Sequence, residues 1–522
     1  MTIQLNLKSI LGSGTAMFAF AVALPVITPQ LAYADDCLLD RDNDGNVDAG
    51  SIDNDGGANS VDLDANLACG VDATATGSLA TAIGSDSDAS GNRATALGVG
   101  SSATQTYSTA IGSIASATGI YSTAVGVNSE AIGSNSTAVG VNASAEGDYS
   151  ISLGVNSESP GTYSTALGHT AMATGGYSTA VGAYSNASGS FGTALGRGAT
   201  ASASLTTAVG RNSDASSVNS TAVGANAQAS SSSSSSFGQG ASAVGTNSTA
   251  LGRSSDATEA NSIALGAHAQ AMGEDSIAIG TGTGFDTDMA RAEAAGAIAI
   301  GHNSAASSAD SIAIGRDAAA TGQNSTAIGG GSSATGFFAT ALGHTANASG
   351  HYALSLGEKS EAIGDFTTAV GVQAEATADH ATAIGEEAVA SGIRSTAVGK
   401  GARAFGEGAQ AFGESTYVTG DNATGIGQGA QATADFATAV GDFGRATGLQ
   451  STALGAHSWA SADYSSAVGV AASGEGEKST AIGYNSRSIA ENSVALGAGS
   501  IAEVANAVSV GKVGSERQIK KG

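Results

Sequence analysis

Thr95-Ala96-Leu97-Gly98, Thr109-Ala110-Ile111-Gly112 and Thr123-Ala124-Val125-Gly126 are one phrase written three times, 14 residues apart. The same phrase returns far downstream as Thr480-Ala481-Ile482-Gly483. Between Gly84 and Gly280 a glycine preceded by a bulky apolar residue recurs every 14 residues; after one step of 21 it resumes at Gly301 and continues to Gly511. These are 15 glycines before the slip and 16 after it, so about 31 copies of one unit fill most of the chain. A period this short marks a solenoid in which each unit packs only on its neighbours. The 522 residues therefore do not divide into several globular domains.

Composition agrees. The 76 glycines, 12% charged and 5% aromatic residues describe thin layers of small side chains rather than a thick core. Of three prolines, Pro25 and Pro29 precede the repeats and only Pro160 lies among them, which suits continuous hydrogen-bonded strands. A net charge of −26 makes nucleic acid and anionic membranes poor partners. Cations, neutral or basic proteins and glycans remain.

Within one unit, Thr, Ile or Val stands three residues before the glycine and Ile, Val, Leu or Phe one before it. Period two puts these on one face of a first strand, with Ser or Thr, Ala and the glycine on the other. Small residues follow at alternate positions, as in Ala115, Ala117 and Gly119, with polar Ser116 and Thr118 between them. This second strand has an inner and a solvent face; the first has no polar face. A strand expected to be buried on both sides needs a second packing partner, so rolls are expected to associate along the Val/Ile/Leu stripe around a rotation axis.

Asn261-Ser262-Ile263-Ala264-Leu265-Gly266, Asp275-Ser276-Ile277-Ala278-Ile279-Gly280 and Asn492-Ser493-Val494-Ala495-Leu496-Gly497 carry a resemblance. They are similar to the head repeats of YadA-like trimeric autotransporter adhesins. Asn506-Ala507-Val508-Ser509-Val510-Gly511, followed by Gly514-Ser515-Glu516-Arg517-Gln518-Ile519, resembles the neck that joins such heads to a coiled-coil stalk. The resemblance implies an all-β, left-handed parallel β-roll over residues 71–505, a neck at 506–522, a homotrimer, and adhesion to a matrix protein, glycan or surface. The family's stalk and barrel would follow the neck, whereas the sequence stops at Lys520-Lys521-Gly522. Anchoring is thus left open.

Residues 1–34 read as an export signal: Lys8, the apolar run Ile10 to Ile27, and a small-x-small cleavage site at Ala32-Tyr33-Ala34. No other segment could span a bilayer. The protein is then expected at the cell surface or secreted, where Cys37 and Cys69, its only cysteines, can form a disulfide. Between them Asp40, Asp42, Asp44 and Asp48 alternate around Gly45, a spacing that suits Ca²⁺. The segment resembles a thrombospondin type-3 or dockerin-like loop, and departs from an EF-hand in having Ser51 where a bidentate Glu belongs. Residues 35–70 are accordingly expected to cap the exposed edge of the first coil.

Nine residues after many of the glycines stands an aromatic: Tyr107, Tyr121, Tyr149, Tyr163, Tyr177 and Phe191, then Phe338, Tyr352, Phe366, Phe436 and Tyr464. Stacked coils turn these into columns along one corner. Such columns stiffen the roll or form a contact ladder for a ligand. The half-unit inserted at Thr281–Ala290, with Phe285 at its centre, is a second candidate contact. No catalytic constellation stands out: the seven histidines lack metal spacing, and Gly392 to Lys400 has Arg394 where a phosphate loop needs glycine. Two rivals to adhesion remain, a passive surface rod and an ice- or crystal-binding solenoid. The threonines that suggest the latter share a face with the apolar stripe.

Overall fold

The computed structural model describes residues 58–60, 66–283, 288–512, 514–515 and 517–520. Every strand pairs in parallel with the strand one coil away, in register: Thr95 faces Thr109, Ala96 faces Ala110 and Leu97 faces Ile111. Among the described residues the long strands form one 32-stranded sheet, beginning at Leu67–Cys69 and ending at Val508–Ser509. The short strands form the opposite face as sheets of 4 and 23 strands, joined by isolated bridges through Glu158 and Met172. Pro160 lies in that gap. It has no N–H at the position from which Thr118, elsewhere, donates to Ala131.

One coil explains the rest. Thr109–Ile111 is the long strand, the chain turns at Gly112 to Ile114, Ser116–Ala117 is the short strand, and Gly119 to Tyr121 turns back. Both corners need a left-handed residue, here Ile114 (φ 57°) and Tyr121 (φ 58°), and Asn128, Asn135, Asn142 and Asn156 fill the same corners nearby. Asn tolerates that conformation better than most side chains. The glycine that sets the phase answers a further demand. Gly126 has φ 136°, and a Cβ built on it would stand 2.3 Å from the carbonyl oxygen of Gly140 in the next coil.

The core is almost entirely alanine. Ala110, Ala115 and Ala117 are fully buried, as are the equivalent alanines of coil after coil, and among the described residues the largest fully buried side chain is Val418. Where serine replaces the strand alanine it finds a second serine: Ser152 meets Ser157 at 2.7 Å and Ser355 meets Ser360 at 2.6 Å. The serine run ending at Ser236 also keeps the register, with Ser236 opposite Ala250.

Three observations bear on the sequence reading. The long strand is buried on its inner face only; on the outer face Leu97, Leu167 and Leu195 are 41%, 43% and 45% exposed. A single roll has nothing to lay over that stripe. The roll also starts before residue 71, because Leu67-Ala68-Cys69-Gly70 is already in phase and pairs with Thr81–Ile83. Part of the expected cap is therefore the first coil, with Cys69 in the place of the usual bulky apolar residue. Finally, the 21-residue step leaves the stack intact: Ile277–Ile279 pairs with Ile298–Ile300 and Gln270–Ala271 with Arg291–Ala292. Of the extra half-unit, residues 281–283 and 288–290 are described, and they leave and rejoin the coil at one corner. These two described ends are tied by the Thr283 amide, which donates to Asp288 at 2.9 Å, and by the Thr283 hydroxyl.

Candidate functional site

A roll with an alanine interior can act only through its outward columns. The corner nine residues after each glycine holds the aromatic column. Tyr107 and Tyr121 stack at 4.9 Å, and Tyr149, Tyr163, Tyr177 and Phe191 form a four-ring stack with centroids 4.7 to 5.0 Å apart. Asn135 separates the two groups. A second stack runs Phe338, Tyr352, Phe366 and His380 at 5.0 to 5.4 Å. The spacing is the coil rise itself, so in-register pairing sets the stacking distance. Arg93 closes the upstream end, donating to the Tyr107 hydroxyl with its guanidinium 5.1 Å from the ring centre.

This geometry limits what the ladder can do. Ring faces are spent on one another, so a ligand meets ring edges and a row of tyrosine hydroxyls rather than open π faces. The rings remain about half exposed, Tyr121 and Tyr177 at 55%. Stiffening and display are thus both built into the column.

The remaining candidate residues divide by position. Phe285, Asp40, Asp42, Asp44, Asp48 and Cys37 lie outside the described residues. Cys69 ends the first long strand and is not a free thiol. Asp288, where the inserted half-unit rejoins the coil, has its carboxyl held below the usual range by the hydrogen bonds from Thr283. Asp214 and Asp256, on the short strands, are raised by partial burial. His169, His302 and His344 are exposed, as their shared position after the glycine suggests. Among the described residues no helix is long and apolar enough to cross a membrane, and no acidic, His or Cys group could hold a metal ion.

One cluster escaped the sequence reading. Phe443, Arg445, His457, Ser458 and Trp459 line an open cavity of about 390 Å³ on the short-strand side. Its signal is present only when the chain is written in rows of 14, which places Arg445 directly beneath Trp459 and Phe443 beneath His457.

The family relationship follows from the repeats. A family described as the YadA head domain repeat matches residues 75–157, 159–185, 187–255, 257–283, 292–318, 320–360, 362–402, 419–443, 446–472 and 475–500. The matches span well over half of the chain, which belongs to that family. Among solved structures, the chain is similar to the collagen-binding domain of the Yersinia adhesin YadA, at 25% identity over 33% of this chain and 72% of that one, with a TM-score of 0.18. No curated protein gives a significant match.

Proposed function

We propose that the chain is an exported adhesin head that works as a homotrimer and attaches to matrix proteins, glycans or surfaces through weak, repeated contacts. The observation that carries this reading is the presence of two kinds of outward column on one roll. An apolar stripe, half open in the single chain, offers a seam for neighbouring copies, and a ladder of stacked aromatics stands at a corner. Contacts repeated at the coil spacing sum by multivalency even when each is weak.

Replacing Tyr107, Tyr121, Tyr149, Tyr163 and Tyr177 together by Ser is expected to weaken attachment to matrix-coated surfaces by about tenfold or more, as loss of a multivalent array requires. The oligomer should persist, and one replacement alone should do little. Attachment per folded particle that is unchanged, with a lowered melting temperature, would make the ladder a stiffener and leave the rod without this contact.

The N-terminal segment is proposed to seal the first coil by a Cys37–Cys69 disulfide and a Ca²⁺ ion on Asp40, Asp42, Asp44 and Asp48. The support is that Cys69 lies on the first long strand, whose outer edge would otherwise offer unpaired backbone groups. Chelation or reduction of the full chain should expose that end to limited proteolysis ahead of the rest. Calorimetry showing no heat of binding at millimolar calcium would reduce the acidic run to a linker.

A further inference from the structure

The outward column of the short-strand face is mostly polar as far as Glu375, and then turns to Val389, Arg403 and Tyr417. One coil apart, in register, its outward column runs Gln431, Arg445, Trp459, Ser473 and Arg487. Trp459 is the only tryptophan of the chain and is 45% exposed. Arg487 is satisfied, donating to both carboxylate oxygens of Glu475 at 2.6 and 2.9 Å and holding that carboxyl below its usual range. Arg445 differs: among the described residues no ion pair or side-chain hydrogen bond engages its exposed guanidinium.

Beside this pair stands an aromatic wall. Phe443 and His457 stack at 5.6 Å and 8°. Gly429 sits one coil before Phe443, and a Cβ there would lie 2.7 Å from two ring carbons, so the ring rests over bare backbone. The floor is Ser458, whose hydroxyl is turned inward to the Gly455 carbonyl at 2.8 Å. Wall, indole and guanidinium thus surround a shallow open cavity that leaves a cation without a partner in a protein of strongly negative net charge.

We propose that this cavity binds a carboxylated sugar residue carried on an otherwise neutral glycan. The indole face packs against sugar C–H groups, and the planar guanidinium takes the carboxylate as a bidentate partner. Openness fits a ring that stays partly solvated within a longer glycan. The surroundings disfavour a dense polyanion: Asp442 adjoins Phe443 in sequence, and the net charge is −26. The site is on the short strands, away from the apolar stripe on the long strands, so both are available together. It deepens the adhesive reading by giving the head one glycan contact, and it does not depend on the tyrosine ladder.

The test uses the full chain with sialyl-lactose, lactose and a heparin hexasaccharide as probes, followed by calorimetry and saturation-transfer NMR. Sialyl-lactose should bind in the millimolar range, and lactose at least about tenfold more weakly, the loss expected for an unpaired Arg contact. Trp459→Ala and Arg445→Gln should each abolish most of that binding while circular dichroism and melting temperature stay at the parental values. Gly429→Ala, which pushes the Phe443 ring aside, should weaken it through the wall. Equal binding of lactose, tighter binding of heparin, unchanged binding by both variants, or no binding at 10 mM (about the weakest contact a multivalent head could use) would each overturn the proposal. The five-tyrosine variant should bind sialyl-lactose normally. Failure here with ladder-dependent attachment intact removes this site alone and leaves the adhesive reading standing.

Discussion

The double variant Val125→Asp/Val139→Asp is expected to convert a particle of three chain masses into monomers or aggregates in sedimentation equilibrium. Both side chains belong to the outer stripe of the long strand, where Val139 is 36% exposed in the single chain. If three stripes meet around an axis, each substitution puts three carboxylates into one dry layer. An unpaired charge buried in this way costs several kcal/mol, about 3–5 for each broken contact in comparable cases. Thr118→Asp is the control, since it lies exposed on the short-strand side and should change stability by no more than about 0.5 kcal/mol. A parental protein that sediments as a folded monomer would refute the trimer.

Gly126→Ala is expected to be strongly destabilising for a single added methyl. Its Cβ would meet the oxygen and carbonyl carbon of Gly140 at 2.3 and 2.7 Å, and both are backbone, held in turn by the following coil. Neither can move without shifting the stack, so a cost of about 3–5 kcal/mol is expected, at the upper end of overpacking effects. Gly100→Ala separates this clash from backbone conformation. Gly100 has φ 65° and its nearest neighbour is the Ile114 side chain at 3.8 Å, so about 1–2 kcal/mol is expected from left-handed strain alone. Equal losses in denaturant unfolding would show that the phase-setting glycine answers to φ and not to the close approach of coils.

Much of this architecture was legible because the pattern is local. Leu97, Ile111 and Val125 repeat at a fixed step, and alternation around them separates the inner Ala96, Ala110 and Ala124 from the outer stripe. What was hidden has physical reasons. The first coil was missed because Cys69 replaces the expected Ile or Leu, although Gly70 keeps the phase. The corner conformation was missed because Tyr121, Leu205 and Asn219 share no chemistry; they share only positive φ, imposed by the turn. The cluster at Trp459 was invisible to a linear reading because its members come from successive coils and become neighbours only through the register of pairing.

That register also governs how the rod responds to pulling. The interstrand hydrogen bonds, such as Thr123 N–H to the Ser136 carbonyl at 2.9 Å, run along the stacking direction. Tension applied along the axis therefore loads the coils in series, and the weakest interface yields first while its neighbours stay folded. Each coil that opens exchanges a rise of about 4.8 Å for an extended length of roughly 45–50 Å. A head built this way is stiff at low load and, beyond it, lengthens tenfold per coil. It absorbs mechanical work one coil at a time before any terminal attachment has to break.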